Sequence, residues 1–129
     1  MKILVVDDAQ TVRGYHRQLL EQAGFEVDEA ANGLEAVEKV FQKPKDYLAL
    51  LVDINMPQMD GYTLVREVRS NPETQAMIMI MISTESEIHD REMAYKAGAN
   101  GYLVKPVKGD LLARQLKLVT GRTEEANHG

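Results

Sequence analysis

Asp7 and Asp8 close the apolar run Ile3-Leu4-Val5-Val6, Asp53 closes Leu48-Ala49-Leu50-Leu51-Val52, and Lys105 follows Tyr102-Leu103-Val104 and precedes Pro106. Carboxylates gathered in one place repel one another. At roughly 4 Å and an effective dielectric of about 20, each pair costs about 4 kcal/mol. A divalent cation and a nearby ammonium both offset that cost, and Lys105 supplies the ammonium. Hard oxygen ligands in a chain without cysteine favour magnesium, which binds few carboxylates and keeps several waters. A carboxylate beside magnesium and a lysine suits phosphoryl transfer. The carboxylate attacks phosphorus and becomes an aspartyl phosphate, while the cations screen the oxygens of the transferring group. Ser83, after the apolar run Met77–Ile82, can donate its hydroxyl to such an oxygen. A helix cap is the competing role for Asp8, and satisfying a loop backbone is the competing role for Ser83.

These groups need a frame that brings them together. Runs that are apolar on both faces read as central strands of a parallel sheet, and such sheets place ligands at the carboxyl ends of their strands. Helical spacing separates the runs: Val12, Tyr15, Leu19, Leu20 and Ala23 before Gly24; Leu34, Val37, Val40 and Phe41 before Pro44; Leu64, Val65 and Val68 within 61–70. Two more helices are expected over 85–97, stopped by Gly98, and over 110–119, stopped at Gly121. Strands are expected at 25–29, 77–82 and 101–105 besides the first and third. The alternating Met and Ile of 77–82 read as core filler on a strand buried on both faces, not as a metal or cofactor box. Five βα units make an α/β domain with helices on both faces of a parallel sheet.

Composition narrows the function. A formal net charge of -5 argues against nonspecific nucleic-acid binding, which needs a basic surface. The absence of cysteine excludes disulfides and thiolate zinc sites. No apolar stretch reaches transmembrane length and the start reads as no signal peptide, so a cytoplasmic location is expected. His16, His89 and His128 are too scattered for a metal cluster and are expected at the surface.

Several local patterns occur together: Val6-Asp7-Asp8 with Arg13; Val52-Asp53-Ile54-Asn55-Met56-Pro57 with Met59-Asp60-Gly61; Ser83; and Gly98-Ala99-Asn100-Gly101-Tyr102 leading to Lys105-Pro106. In this order and spacing they resemble the receiver domain of two-component response regulators, from about Lys2 to Val119. The resemblance implies a doubly wound, flavodoxin-like sheet of order 2-1-3-4-5, an order that chemotaxis receivers themselves exemplify. It implies Asp53 as phosphoacceptor, with Asp8, Asp53 and the backbone carbonyl of Asn55 as direct magnesium ligands and Asp7 holding the metal through water. Lys105 matches the phosphate-binding lysine, whose bond to the following proline is usually cis. Ser83 and Tyr102 match the switch pair. Asn55 and Glu85 match the positions flanking the attacking water, and Thr84 stands where a small residue is usual, so these three bear on phosphate lifetime. Arg91, Tyr95, Tyr102 and Arg114 would form the output face.

The implied function is that of a signalling domain, not a metabolic enzyme. It accepts phosphate from a histidine kinase and then binds a downstream protein, a flagellar switch or another effector. A receiver over 1–120 with a short tail, 121–129, predicts a monomeric, stand-alone response regulator of chemotaxis type. The alternatives are a phosphorelay shuttle to a histidine phosphotransfer protein and a module that binds without phosphorylation. A flavodoxin would need a glycine- and serine-rich phosphate cradle where Asp7-Asp8-Ala9-Gln10 stands.

Overall fold

The structure, a computed structural model, describes residues 1–84 and 88–121. Five strands, β1 (Lys2–Val6), β2 (Glu26–Ala30), β3 (Tyr47–Asp53), β4 (Ile78–Ser83) and β5 (Gly101–Val104), form one parallel sheet of order β2-β1-β3-β4-β5. They alternate with α1 (Gln10–Gln22), α2 (Gly33–Gln42), α3 (Gly61–Ser70), α4 (Ile88–Ala97) and α5 (Gly109–Thr120). The expected fold class and strand order are therefore observed. Each expected strand lies within a residue or so of its place. Of the helix expected over 85–97, residues 88–97 are described and its first turn lies outside the described residues.

Strand pleating divides the core in two. Leu4, Val6, Leu50, Val52, Met79 and Met81 pack with α2, α3 and α4, while Ile3, Val5, Ala49, Leu51, Ile80 and Ile82 pack with α1 and α5. Both faces are covered, which is why the central strands read as unbroken apolar runs. Met79 and Met81 are fully buried, as core filler should be. Leu34 departs from its expected place. It is 52% exposed, and Ala36 takes the buried position because the α2 face meeting the sheet is rotated toward Ala36 and Val40.

Helix ends follow local chemistry. Gly24, Gly98 and Gly121, each expected to stop a helix, all take positive φ. Asn32 caps α2 by accepting from the Glu35 N–H, and Asp60 caps α3 by accepting from the Thr63 N–H. Arg69, at the end of α3, ties the edge of the sheet opposite the acidic cluster. Its guanidinium donates to the carbonyls of Gly98 (2.9 Å), Gln75 (3.0 Å) and Met77 and to Asn100 Oδ1 (2.7 Å). Among the described residues, no helix is long and apolar enough to cross a membrane.

Candidate functional site

Register sets the site. Val6 pairs with Val52, so Asp7 and Asp53 leave adjacent strands at the same level. One carboxylate oxygen from each of Asp7, Asp8 and Asp53 lies within 4.8 Å of the others. Lys105 reaches in from the end of β5 and bridges two of them, with Nζ 2.9 Å from Asp53 Oδ1 and 3.2 Å from Asp7 Oδ2. Asp7 and Asp53 are buried and Asp8 is exposed at the mouth. Four groups scattered over a hundred residues of sequence thus meet at the carboxyl edge of the sheet.

Local contacts hold each group in place. Asp7 Oδ1 accepts from the Ala9 N–H at 2.9 Å, closing a tight turn. Neither Asp7 nor Asp8 caps α1, whose N-cap is Ala9 without a side-chain bond. Arg13, which entered the sequence argument only as part of a pattern, donates from Nη1 to the Asp7 carbonyl and from Nε to Glu29 Oε1, both at 2.8 Å. The loop after Asp53 is anchored at Ile54, whose N–H donates to the Ile82 carbonyl and whose own carbonyl accepts from the Gly61 N–H. Gly61 packs so closely that a Cβ there would lie 2.6 Å from the Asp53 carbonyl oxygen. Ser83 ends β4, fully buried, and its carbonyl accepts from the Lys105 N–H at 2.8 Å. The Lys105–Pro106 bond is cis, as expected.

Burial pushes the Asp53 carboxyl above the ordinary aspartate range; the Lys105 hydrogen bond opposes this, and the charges of Asp7 and Asp8 add to it. Burial works against the Lys105 ammonium, but bonding and charge from Asp53 and Asp7 outweigh it and leave its pKa raised. Three carboxylates against one ammonium leave two negative charges uncompensated. The donor set is all carboxylate oxygen. Both its charge and its chemistry fit one divalent hard cation such as magnesium.

Other expected residues lie around this centre. Asn55 and Thr84 are exposed at the rim, and Glu85 lies outside the described residues, as do the tail 122–129 and His128. Tyr102 is buried: it is 3% exposed, with the Arg91 guanidinium carbon 5.2 Å from its ring centroid. Tyr95 and Arg114 are exposed on α4 and α5. His89 is at the surface as expected, but His16 is not. It is 2% exposed, because it stands four residues after Val12 and four before Leu20 on the face of α1 that meets the sheet. Helical spacing marked that position as inward; residue type masked it.

Comparison with known proteins decides the family. A family model described as the response regulator receiver domain matches residues 3–117. The chain belongs to that family. As a receiver it is 41% identical over 125 residues to the Helicobacter pylori chemotaxis protein CheY1, covering 96% of this chain and all of that one. It is 36% identical over 115 residues to the H. pylori sensor histidine kinase CheAY, covering 89% of this receiver but 14% of that much longer protein. Among solved structures it resembles the receiver domain of a Pseudomonas aeruginosa sensor histidine kinase, crystallised with a magnesium ion coordinated in its active-site cleft. There the TM-score is 0.84, with 32% identity over 93% of this chain and 97% of that one. This is a CheY-like signalling receiver, and the full-length match to a single-domain chemotaxis protein favours the chemotaxis-type reading over the phosphorelay shuttle.

Proposed function

We propose that this receiver takes a phosphoryl group onto Asp53 from a histidine kinase and signals by phosphorylation-dependent binding to a protein of the chemotaxis machinery. The observation that carries the reading is the bridge of Lys105 from Asp53 to Asp7 inside a three-carboxylate cluster. A buried carboxylate paired, among the described residues, with a strand-end lysine is poised to exchange that contact for one to a phosphoryl oxygen. Asp8, Asp53 and the Asn55 carbonyl would hold magnesium, with Asp7 acting through water. Bound magnesium would supply positive charge facing the phosphoryl oxygens.

The chain's own residues carry the steps. An Asp53 oxygen forms the bond to phosphorus as the bond from phosphorus to the leaving group breaks, and the leaving group keeps the electron pair. Lys105 Nζ turns from the carboxylate to a phosphoryl oxygen, and Ser83 offers its hydroxyl to another. Movement at Ser83 passes to the neighbouring strand through the Lys105 N–H···O=C Ser83 bond and repacks Tyr102 beneath Arg91. That alters the surface formed by Arg91, Tyr95 and Arg114, with Tyr102 buried under Arg91 rather than on that surface. A phosphoryl group biases this equilibrium only because it interacts differently with the two states. Asn55 and Thr84, exposed at the rim, control access of water to the phosphate, with Glu85 as their proposed partner.

The test is intact mass after incubation with magnesium and acetyl phosphate, for the native chain and for Asp53→Asn. A single phosphate adduct on the native chain, absent from the variant, supports the assignment. An adduct retained by the variant moves the nucleophile elsewhere, and no adduct on either chain favours a module that binds without phosphorylation.

A further inference from the structure

Asp7 is held at each of its polar atoms. Its N–H donates to the Ala30 carbonyl at 3.2 Å, Oδ1 accepts from the Ala9 N–H, Oδ2 from Lys105, and the carbonyl oxygen from Arg13 Nη1 at 2.8 Å. Asp8 is placed differently. It stands exposed at the mouth of the cluster, where packing constrains a side chain little. Its backbone supplies the constraint, because the Asp7 carbonyl and the Asp8 N–H and Cα lie in one peptide plane. A donor that fixes the Asp7 carbonyl oxygen therefore fixes the direction in which Asp8 leaves β1.

Arg13 has the reach and the shape for that task. It lies one turn into α1, and helical side chains lean toward the N-terminus of their helix. It thus reaches back over the β1–α1 turn to a carbonyl six residues earlier. One guanidinium plane serves two acceptors, Nη1 donating to the Asp7 carbonyl and Nε to Glu29 Oε1, both at 2.8 Å. A planar fork engaged at two points has little rotational freedom left. Glu29 is fixed in its turn. It lies on β2 opposite Val5, its Oε2 accepts from Arg17 Nη1 at 2.5 Å, and its carbonyl accepts from Lys39 Nζ at 2.7 Å. The contacts therefore run from the edge strand through Arg13 to the peptide that carries Asp8. They end on main chain, not on a carboxylate of the cluster.

We infer that Arg13, oriented by Glu29, is a positioning residue for the divalent cation: it sets the Asp7–Asp8 peptide so that Asp8 turns its carboxylate toward Asp53. The inference rests on the reading that Asp8 is a direct magnesium ligand. By charge alone, a guanidinium beside three carboxylates competes with a metal ion. The charge of Arg13 and its placing of Asp8 thus act on metal affinity with opposite sign, which makes them separable.

Magnesium alone is titrated calorimetrically into the metal-free native chain and into Arg13→Met, Arg13→Lys and Asp8→Asn. Urea unfolding in chelator reports the fold of each. Arg13→Met removes charge and fork together. Charge alone calls for tighter magnesium binding in that variant; loss of placement calls for weaker binding, and a fall of about tenfold is expected. Arg13→Lys keeps the charge, but one ammonium cannot match both acceptors as the fork does, so its affinity should fall between those two chains. An affinity in Arg13→Met at or above the native value overturns the inference even where the urea midpoint drops, because a merely structural arginine moves stability and leaves the site of the folded chain alone. If Arg13→Met does not fold, Arg13→Lys decides: binding weaker than native supports the inference, and native affinity overturns it. Asp8→Asn guards the reading beneath. A native chain that binds no magnesium, or an Asp8→Asn that binds it as tightly as native, removes Asp8 from the metal and takes this inference with it. Affinity lost in Asp8→Asn but kept in Arg13→Met overturns the positioning role and spares the metal site.

Discussion

Asp53→Asn keeps the shape of the buried nucleophile and removes its charge, and it should stabilise the protein when metal is withheld. The oxygens of Asp7 and Asp8 lie within 4.8 Å of that of Asp53. At an effective dielectric of about 20, each repulsion reaches about 3.5 kcal/mol, or about 7 kcal/mol together. Against this stands attraction to Lys105 at 2.9 Å, about 6 kcal/mol on the same footing. Asp8 is exposed, and solvent screens its share. The Coulomb terms therefore leave at most a net attraction of about 2 kcal/mol, and burial of an ionised carboxylate that is 5% exposed outweighs it, as the raised pKa of Asp53 requires. That penalty survives in the charged side chain and vanishes in the amide, giving an expected gain of about 1 to 2 kcal/mol. For a domain of this size it appears as a rise in Tm of about 4 °C or more. The assay is thermal or urea unfolding of both chains in chelator and again in magnesium. In chelator the variant should be the more stable; magnesium should shrink or reverse the gap, because only the native chain keeps the full ligand set. The pH dependence has a definite sign. The folded pKa of Asp53 is raised, so its destabilisation is complete above that pKa and is relieved as pH falls through it toward the unfolded value. The gap should therefore narrow on acidification. A variant less stable than the native chain in chelator would refute the reasoning, because it would mean that the Lys105 bridge outweighs both burial and repulsion.

Gly61→Ala should cost about 1 to 3 kcal/mol by overpacking, because the new methyl meets the Asp53 carbonyl and Ile54 Cα, both backbone atoms; an unchanged urea midpoint would show that the α3 start has room to move. Arg69→Met should cost about 2 to 4 kcal/mol, since three carbonyls lose the guanidinium donor and the Asn100 amide oxygen keeps only the Met79 N–H. A loss within the scatter of the denaturation curves would reduce that hub to a surface contact. His16 has a folded pKa below its unfolded one, so its contribution is fully present above about pH 6.5 and is lost as pH falls below it. Native protein should therefore lose stability relative to His16→Leu between neutral and mildly acidic pH, and parallel pH profiles would count against a buried neutral ring.

Much of this was readable from residue order because the decisive features are local. Strand-end charges after doubly apolar runs identified the carboxyl edge of the sheet, and the βα alternation identified the class. What escaped depended on contacts between distant segments. His16 looked like a surface residue by type, and only its packing between Val12 and Leu20 showed otherwise. Arg13 and Glu29 carried no signal of their own, because their pairing across α1 and β2 emerges only when Asp7 needs its backbone held. Arg69 works through main-chain carbonyls, which leave no imprint on side-chain pattern. Tyr102 was expected on the output face; it is buried, with the Arg91 guanidinium over its ring.

The bridge across the acidic cluster also has a temporal side. Lys105 lies 98 residues after Asp7 and 52 after Asp53. A chain made from its N-terminus delivers all three carboxylates before the cation that balances them. Among the strands, β5 pairs only with β4, at the sheet's edge. Docking of that final strand is therefore what closes the charge balance, and until it docks the pocket must lean on water and dissolved cations. In synthesis the counter-charge is thus the last part of the cluster to arrive.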